Sequence, residues 1–411
     1  MRKSLLIFSL VVILGVFSCC FWQRTLQNNE CKKALLFKYK WIDPKDEKSL
    51  IGKMGFAKTT IVPSIQENTN TIINILNFSK KSNEDLGINN EKTPVYYFSE
   101  TYISSPVYLY TIKDVSIFFG KDTRRSLIFK NGFYTSMGCE HDLIEKEDFF
   151  TWEKSGDINF AKNLTELPAI KNKIVFFHGD WNLYHIIMEA SPGLLLINAN
   201  DYKITLAYSS RSNIDIVKEL GNPYVIPTKL FTFGKFSELV IPSPILENYA
   251  NLPNIELMNK LFKKLKTNFS KKTSIKSLGE KIYVSRADAS RRKVLNETVL
   301  IKHLKKRGFK VVTPGKYSVA DQSKLFEDAE IIIGPHGLGL INMIFSNNLK
   351  TVIELFSTSH YPNCYLRTAQ IKGVKNYYGI FHDADNNSVD WSSDYSVNIP
   401  EILKVLDTWS G

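Results

Sequence analysis

The chain has 411 residues, 44% hydrophobic, 12% aromatic and 23% charged, which excludes wholesale disorder and predicts two domains in place of one core. Net charge is +12, yet residues 262–310 alone carry 12 Lys and 4 Arg against Glu280, Asp288 and Glu297, a balance of +13 that leaves the remainder about neutral. Such a segment attracts phosphate ligands, polyanions or acidic membranes, although most of its lysines read as a solvated helix face. Five cysteines (Cys19, Cys20, Cys31, Cys139 and Cys364) lack metal-site spacing, which excludes a zinc module and a disulfide scaffold and leaves room for one bridge among the last three.

Met-Arg-Lys precedes an apolar stretch, Ser4–Trp22, whose 19 residues are just long enough to cross a bilayer. Residues 1–22 are read as a signal anchor, a single transmembrane helix with the catalytic body outside the cytosol, in the Golgi or ER lumen if the host is eukaryotic. Residues 23–90 are polar and read as a stem leading into the fold. Short strand-like runs recur from Thr93 to Tyr134. Then Ile174–Phe177 (strand), Trp181–Leu196 (helix) and Ile204–Tyr208 (strand) form a βαβ-like passage, followed by helical Ile214–Leu220 and strand-like Tyr224–Ile226.

A second alternating series opens at Ile282-Tyr-Val. Asn296 is placed to cap a helix over 297–307, with Val299, Leu300, Ile301 and Leu304 inward and Gly308 closing it. Strands over 309–312, 330–333 and 351–356 and a short helix over 319–328, capped by Ser318, complete the series. The fold class expected is α/β: two Rossmann-like domains facing a cleft, over 91–245 and 246–375, with residues 376–411 returning to the first.

Three constellations carry chemistry. Ser285–Glu297 holds Arg286, Arg291 and Arg292 directly after a strand, where guanidinium forks suit a diphosphate. Gly334-Pro-His-Gly-Leu-Gly ends the strand over 330–333, so the backbone around His336, Gly337 and Gly339 opens at a sheet edge that suits phosphate. Upstream, His185 and Glu189 are four apart and share one helix face, a pair able to act as a general base or to orient a sugar hydroxyl. His178, His185 and Glu189 lack a third metal ligand. Asp383-Ala-Asp385 has the form of a metal motif but lies beyond the sheet series, so no metal is expected.

These motifs resemble glycosyltransferase family 61: Tyr283-Val-Ser-Arg, Arg291-Arg292, Asn296-Glu297, Gly334–Asn342 and Val352-Ile-Glu-Leu in order, with Asn182-X-X-His185-X-X-X-Glu189 upstream. The likeness covers roughly residues 175–360. It implies a GT-B-like fold, a nucleotide-sugar donor in the C-terminal domain, inversion at the anomeric carbon and no required metal or other cofactor. It makes Arg286, Arg292, His336, Gly337, Gly339 and Asn342 donor-binding residues. Glu189 and His185 become the catalytic candidates, and Asp180 and Asn182 lie on the acceptor side. Glu189 stands where many members carry Asp. The function expected is transfer of a sugar, from a UDP-sugar, to a hydroxyl of a glycan or glycoprotein. The alternatives are a non-catalytic glycan-binding protein on the same fold and a nucleic-acid-binding protein using residues 262–310. The second is disfavoured because that segment lacks free interleaved aromatics.

Overall fold

The computed structural model describes residues 37–43, 46–88, 90, 97–118, 127–136, 151–152, 158–160, 169–177, 183–197, 204–207, 215–216, 218–220, 225–227, 233–242, 254–385 and 390–408. The apolar segment 1–22, Asp180 and Asn182 lie outside them. Among the described residues no helix is long and apolar enough to cross a membrane. The chain divides into two compact units, residues 1–62 with 107–244, and residues 63–106 with 245–411.

The first unit is built on an 11-stranded sheet. Strands Ala169–Phe177, Ile204–Ala207, Val225–Pro227 and Phe233–Pro242 pair in parallel. The last of them runs antiparallel to the long strand Val107–Phe118, which leads into the hairpin Leu127–Lys130 and Phe133–Ser136. Asn131 and Gly132 turn that hairpin at φ of 55° and 75°, the left-handed pair that a two-residue hairpin needs. The sheet is therefore mixed, and the Rossmann-like expectation holds only for its four parallel strands. Ile112, Val115 and Ile117 reach the same core as Ile128, Leu239 and Ile241, the step from 112 to 115 passing Asp114 at φ 48°.

The second unit carries a six-stranded sheet in which every pairing is parallel. Its strands are β1 (Ile72–Asn77), β2 (Lys281–Val284), β3 (Lys310–Val312), β4 (Ile331–Pro335), β5 (Thr351–Ser357) and β6 (Asn376–His382). The spatial order is β3-β2-β4-β5-β6-β1. From β2 to β6 this is a doubly wound order. The chain steps outward from β2 to β3, then crosses back to β4 on the other side of β2, which puts the topological switch point between β2 and β4. The connecting helices are α1 (Ile255–Ser270), α2 (Glu297–Lys306), α3 (Val319–Leu325), α4 (Cys364–Lys372) and α5 (Ile399–Asp407).

Several local expectations change. Within residues 23–90, read as a stem, Phe37–Trp41 and Ala57–Val62 join the sheet of the first unit and Ile72–Asn77 supplies β1 to this one. Residues 376–411, expected to return to the first unit, supply β6 and α5 of the second. Leu300 and Leu304 of α2 are buried as expected, but Val299 is 50% exposed. Gly308 follows that helix at φ 86°, the closing glycine the sequence indicates. Asn296 does not cap α2 with its side chain; its amide instead exchanges two bonds with Val397, Nδ2 donating to the carbonyl at 2.8 Å and Oδ1 accepting from the amide at 2.9 Å. In α1, Leu257, Met258, Leu261, Phe262, Leu265 and Phe269 are buried while Lys260, Lys263 and Lys264 face solvent, which explains much of the basic run without a ligand.

Candidate functional site

The loops after β2 and β4 meet at the switch point. Gly337 adopts extended backbone, φ 163°, so its lack of a side chain is needed for space and not for conformation. A Cβ there would overlap the Arg286 guanidinium, which lies directly on the glycine. Gly339 serves packing: a Cβ would come within 2.5 Å of Val284 Cγ1 and 3.2 Å of Pro314. The segment Leu338–Phe345 is a 3-10 helix, so the helix-dipole contribution to anion binding is small and the side chains must supply the charge.

They do. Arg286 donates from Nη2 to the Arg291 carbonyl at 3.2 Å, and its backbone amide meets Glu297 Oε1 at 3.4 Å. Arg292 sits at φ 54°, a left-handed conformation costly for a non-glycine residue, and is held there by its amide bond to Ser392 O at 2.9 Å. Nε of Arg286 and Nε of Arg292 are both buried with no acceptor. Among the described residues no carboxylate pairs with Arg286, Arg291 or Arg292. Burial first, then Arg286 and Arg291, push the Arg292 guanidinium down to about 10. Such a cluster of mutually repelling, desolvated cations stands ready for an anion.

His336 lies just past the end of β4, 6% exposed, its amide bonded to Leu355 O at 2.9 Å. Its Nδ1 meets Glu354 Oε1 of β5 at 2.5 Å, and Tyr377 Oη of β6 donates to Glu354 Oε2 at 2.5 Å. The imidazole stacks on Phe356 and contacts His360 and Tyr365, each with ring centroids 5.2 Å away. Burial, followed by the charges of His360, Arg292 and Arg286, holds His336 well below the usual histidine range. His360 is pushed down to about 4, by burial and then by Arg292, Arg291 and Arg286. Trp391, 51% exposed, offers its ring to Arg291, whose guanidinium carbon lies 4.1 Å from the centroid.

Of the residues singled out from sequence, the structure brings Arg286, Arg292, His336 and Gly337 together, with Gly339 beneath them. Asn342 is not among them. It is fully buried and donates to Gln322 Oε1 at 2.9 Å and Gly339 O at 3.0 Å, bracing the loop from behind. In the first unit, His185 Nδ1 and Glu189 Oε1 are 2.8 Å apart across a π-helical turn, Ile186–Ala190, the kind of irregularity that often marks a working site. Asp383 accepts from the Lys80 amide at 2.9 Å, and among the described residues no group of His, Cys, Asp and Glu could hold a metal. Sequence reasoning missed Glu354, Tyr377, His360 and Trp391. The one signal was a glutamate inside an apolar strand, Val352-Ile-Glu-Leu.

A guanidinium cluster at the switch point of a parallel sheet, beside a glycine–histidine loop, suits a phosphate-bearing ligand. The sequence profile of the family Glycosyltransferase 61 matches residues 183–353. Over that segment the chain is similar to glycosyltransferase family 61. It is also similar to the EGF domain-specific O-linked N-acetylglucosamine transferase of Drosophila melanogaster, 32% identical over 87 residues, which are 20% of this chain and 16% of the relative. The matched region thus spans about a sixth of that relative's length.

Proposed function

We propose that this chain transfers a sugar from a nucleoside diphosphate sugar, a UDP-sugar, to a hydroxyl of a glycan or glycoprotein, with inversion and without a metal. The observation that carries the reading is the pair of buried, acceptorless Nε atoms of Arg286 and Arg292 at the switch point. A diphosphate would satisfy both donors and relieve the repulsion among the guanidiniums. The acceptor oxygen attacks the anomeric carbon as the bond to the diphosphate breaks. The departing charge falls on Arg286 and Arg292, and a general base takes the hydroxyl proton. Glu189, oriented by His185, is the residue proposed as that base.

Calorimetric titration of UDP in EDTA tests the donor half. Wild-type protein should bind, and Arg292→Ala should weaken binding by roughly 10–100-fold, the loss of one charged hydrogen-bond group. Unchanged affinity in the variant would remove Arg292 from the site, and binding that vanishes with EDTA would overturn the metal-free reading. Glu189→Gln should bind UDP normally while losing transfer by about a hundredfold or more.

A further inference from the structure

The donor reading gives no work to the most unusual group in the second unit, the carboxyl of Glu354. It lies mid-strand in β5, fully shielded from water, with Gly334 of β4 and Gly379 of β6 as register partners. No lysine or arginine pairs with it among the described residues; its two oxygens are taken by His336 and Tyr377. A carboxylate buried without a cation costs several kcal/mol, far more than a leucine at the same place. Three neighbouring parallel strands thus carry one polar chain, Tyr377–Glu354–His336, leading from the sheet interior to the arginine cluster.

The direction of that chain follows from its bonds. Burial holds the Glu354 carboxyl well above the usual range, against the opposing bond from Tyr377, and so favours its protonated form. Tyr377 donates to Oε2, so the acid hydrogen sits on Oε1 and points at His336 Nδ1. A neutral imidazole accepting at Nδ1 must carry its own hydrogen on Nε2, the ring's remaining polar atom. His336 is then a donor, the form suited to a phosphate oxygen.

We propose that Glu354 and His336 form a buried proton store that neutralises the nucleoside diphosphate as it departs. When the bond between the anomeric carbon and the diphosphate oxygen breaks, its electron pair leaves with the diphosphate. His336 Nε2–H gives its proton to a phosphate oxygen, and Glu354 Oε1–H gives its proton to Nδ1. Histidine ends neutral with its hydrogen on Nδ1, Glu354 ends as a carboxylate held by Tyr377 Oη–H and His336 Nδ1–H, and solvent restores one proton after product release. In this step His336 touches substrate; Glu354 and Tyr377 act through it. The proposal rests on the donor reading above.

The groups facing the pair decide how it titrates. His360 is already deprotonated above about 4, and Arg292 titrates only near 10. Burial raises Tyr365, Tyr377 and Tyr395 above the ordinary phenol range. Arg286 also faces the pair. An alkaline limb in kcat below the range where Arg292 titrates therefore belongs to the Glu354–His336 pair.

The test uses the full chain with UDP-sugar, following donor turnover against pH and UDP affinity by calorimetry. Glu354→Gln should bind UDP within about threefold of wild type, lose kcat by roughly a hundredfold and lose the alkaline limb. Tyr377→Phe, which removes one hydroxyl, should keep the limb but move it to higher pH, because the product carboxylate loses a donor. Wild-type kcat and pH profile in Glu354→Gln, with UDP bound, would overturn the proton store and leave the donor site standing. Should Glu354→Gln fail to fold, an unmoved limb in Tyr377→Phe overturns it equally. Absence of UDP binding in the wild type would instead defeat the donor reading itself.

Discussion

Gly337 and Gly339 belong to one loop, yet substitution should expose different physics at each. A methyl at Gly337 meets only the mobile end of Arg286, which can swing aside. Gly337→Ala should therefore melt within about 1 kcal/mol of wild type while UDP affinity falls roughly tenfold, one displaced guanidinium. A methyl at Gly339 meets Val284 and Pro314, packed side chains with nowhere to go. Gly339→Ala should lose about 1–3 kcal/mol of stability in denaturant titration, the usual cost of overpacking. Equal melting temperatures for the two variants would contradict this division. The arginines, His336 and the glycines were legible in the sequence because strand-end loops with forked cations and small residues have few other uses. Glu354 was not, because a lone carboxylate in an apolar run names no partner. Only the parallel register shows that His336 and Tyr377 flank it on the neighbouring strands.

At the scale of elements, the arginine loop owes its shape to the segment 392–397 that lies along it. Ser392 O receives the Arg292 amide, Asp394 Oδ1 receives the Lys293 amide at 2.7 Å, and Tyr395 exchanges backbone bonds with Lys293 and Leu295. Tyr395 Oη anchors the segment to Leu355 O at 2.8 Å, and Asn296 closes it through Val397. The sequence places a helix after Asn296 correctly but assigns the wrong task to its side chain, since capping is a local preference and the strap comes from a hundred residues away. The two roles separate by substitution. Asn296→Asp keeps a capping acceptor but loses the amide donor to Val397, so it should be destabilised as much as Asn296→Ala, by about 1–3 kcal/mol. Full recovery of stability in the aspartate variant would return the residue to capping.

For the molecule as a whole, buried histidines set the response to acid. His360 and His382 are held down to about 4, chiefly by burial, and His336 is lowered as well. Unfolded imidazoles take up protons near pH 6.5, whereas these three refuse them in the native state, so their contribution is complete above that pH and is lost as pH falls towards about 4. Glu354 works in the opposite sense: raised by burial, it contributes most at low pH and less as pH climbs past its unfolded value, about 4.3. Between about pH 4.5 and 6.5 these four groups bind up to about two more protons in the unfolded chain than in the native one, and stability should fall by up to roughly 2–3 kcal/mol per unit of acidification. Denaturant midpoints flat between pH 7 and 5 would sink this expectation. At this scale the alternating second half of the chain announced its parallel sheet, whereas the origin of the outer strand stayed hidden. The run Ile72-Ile-Asn-Ile-Leu is short and set among polar residues, so it reads as part of a stem and names neither a strand nor the sheet that receives it.

That outer strand also fixes an order of events during synthesis. β1 closes the sheet against β6, and Thr71 Oγ1 donates to Val374 O across a separation of 303 positions. At roughly 5–20 residues per second, the segment 63–106 waits on the order of 15–60 s on the ribosome before its partner emerges. For that interval an apolar strand has its hydrogen-bonding edge open to any neighbour. The yield of folded protein in a cell therefore depends on how fast the stretch between β1 and β6 is made, and slow codons there should cost more soluble product than slow codons ahead of β1.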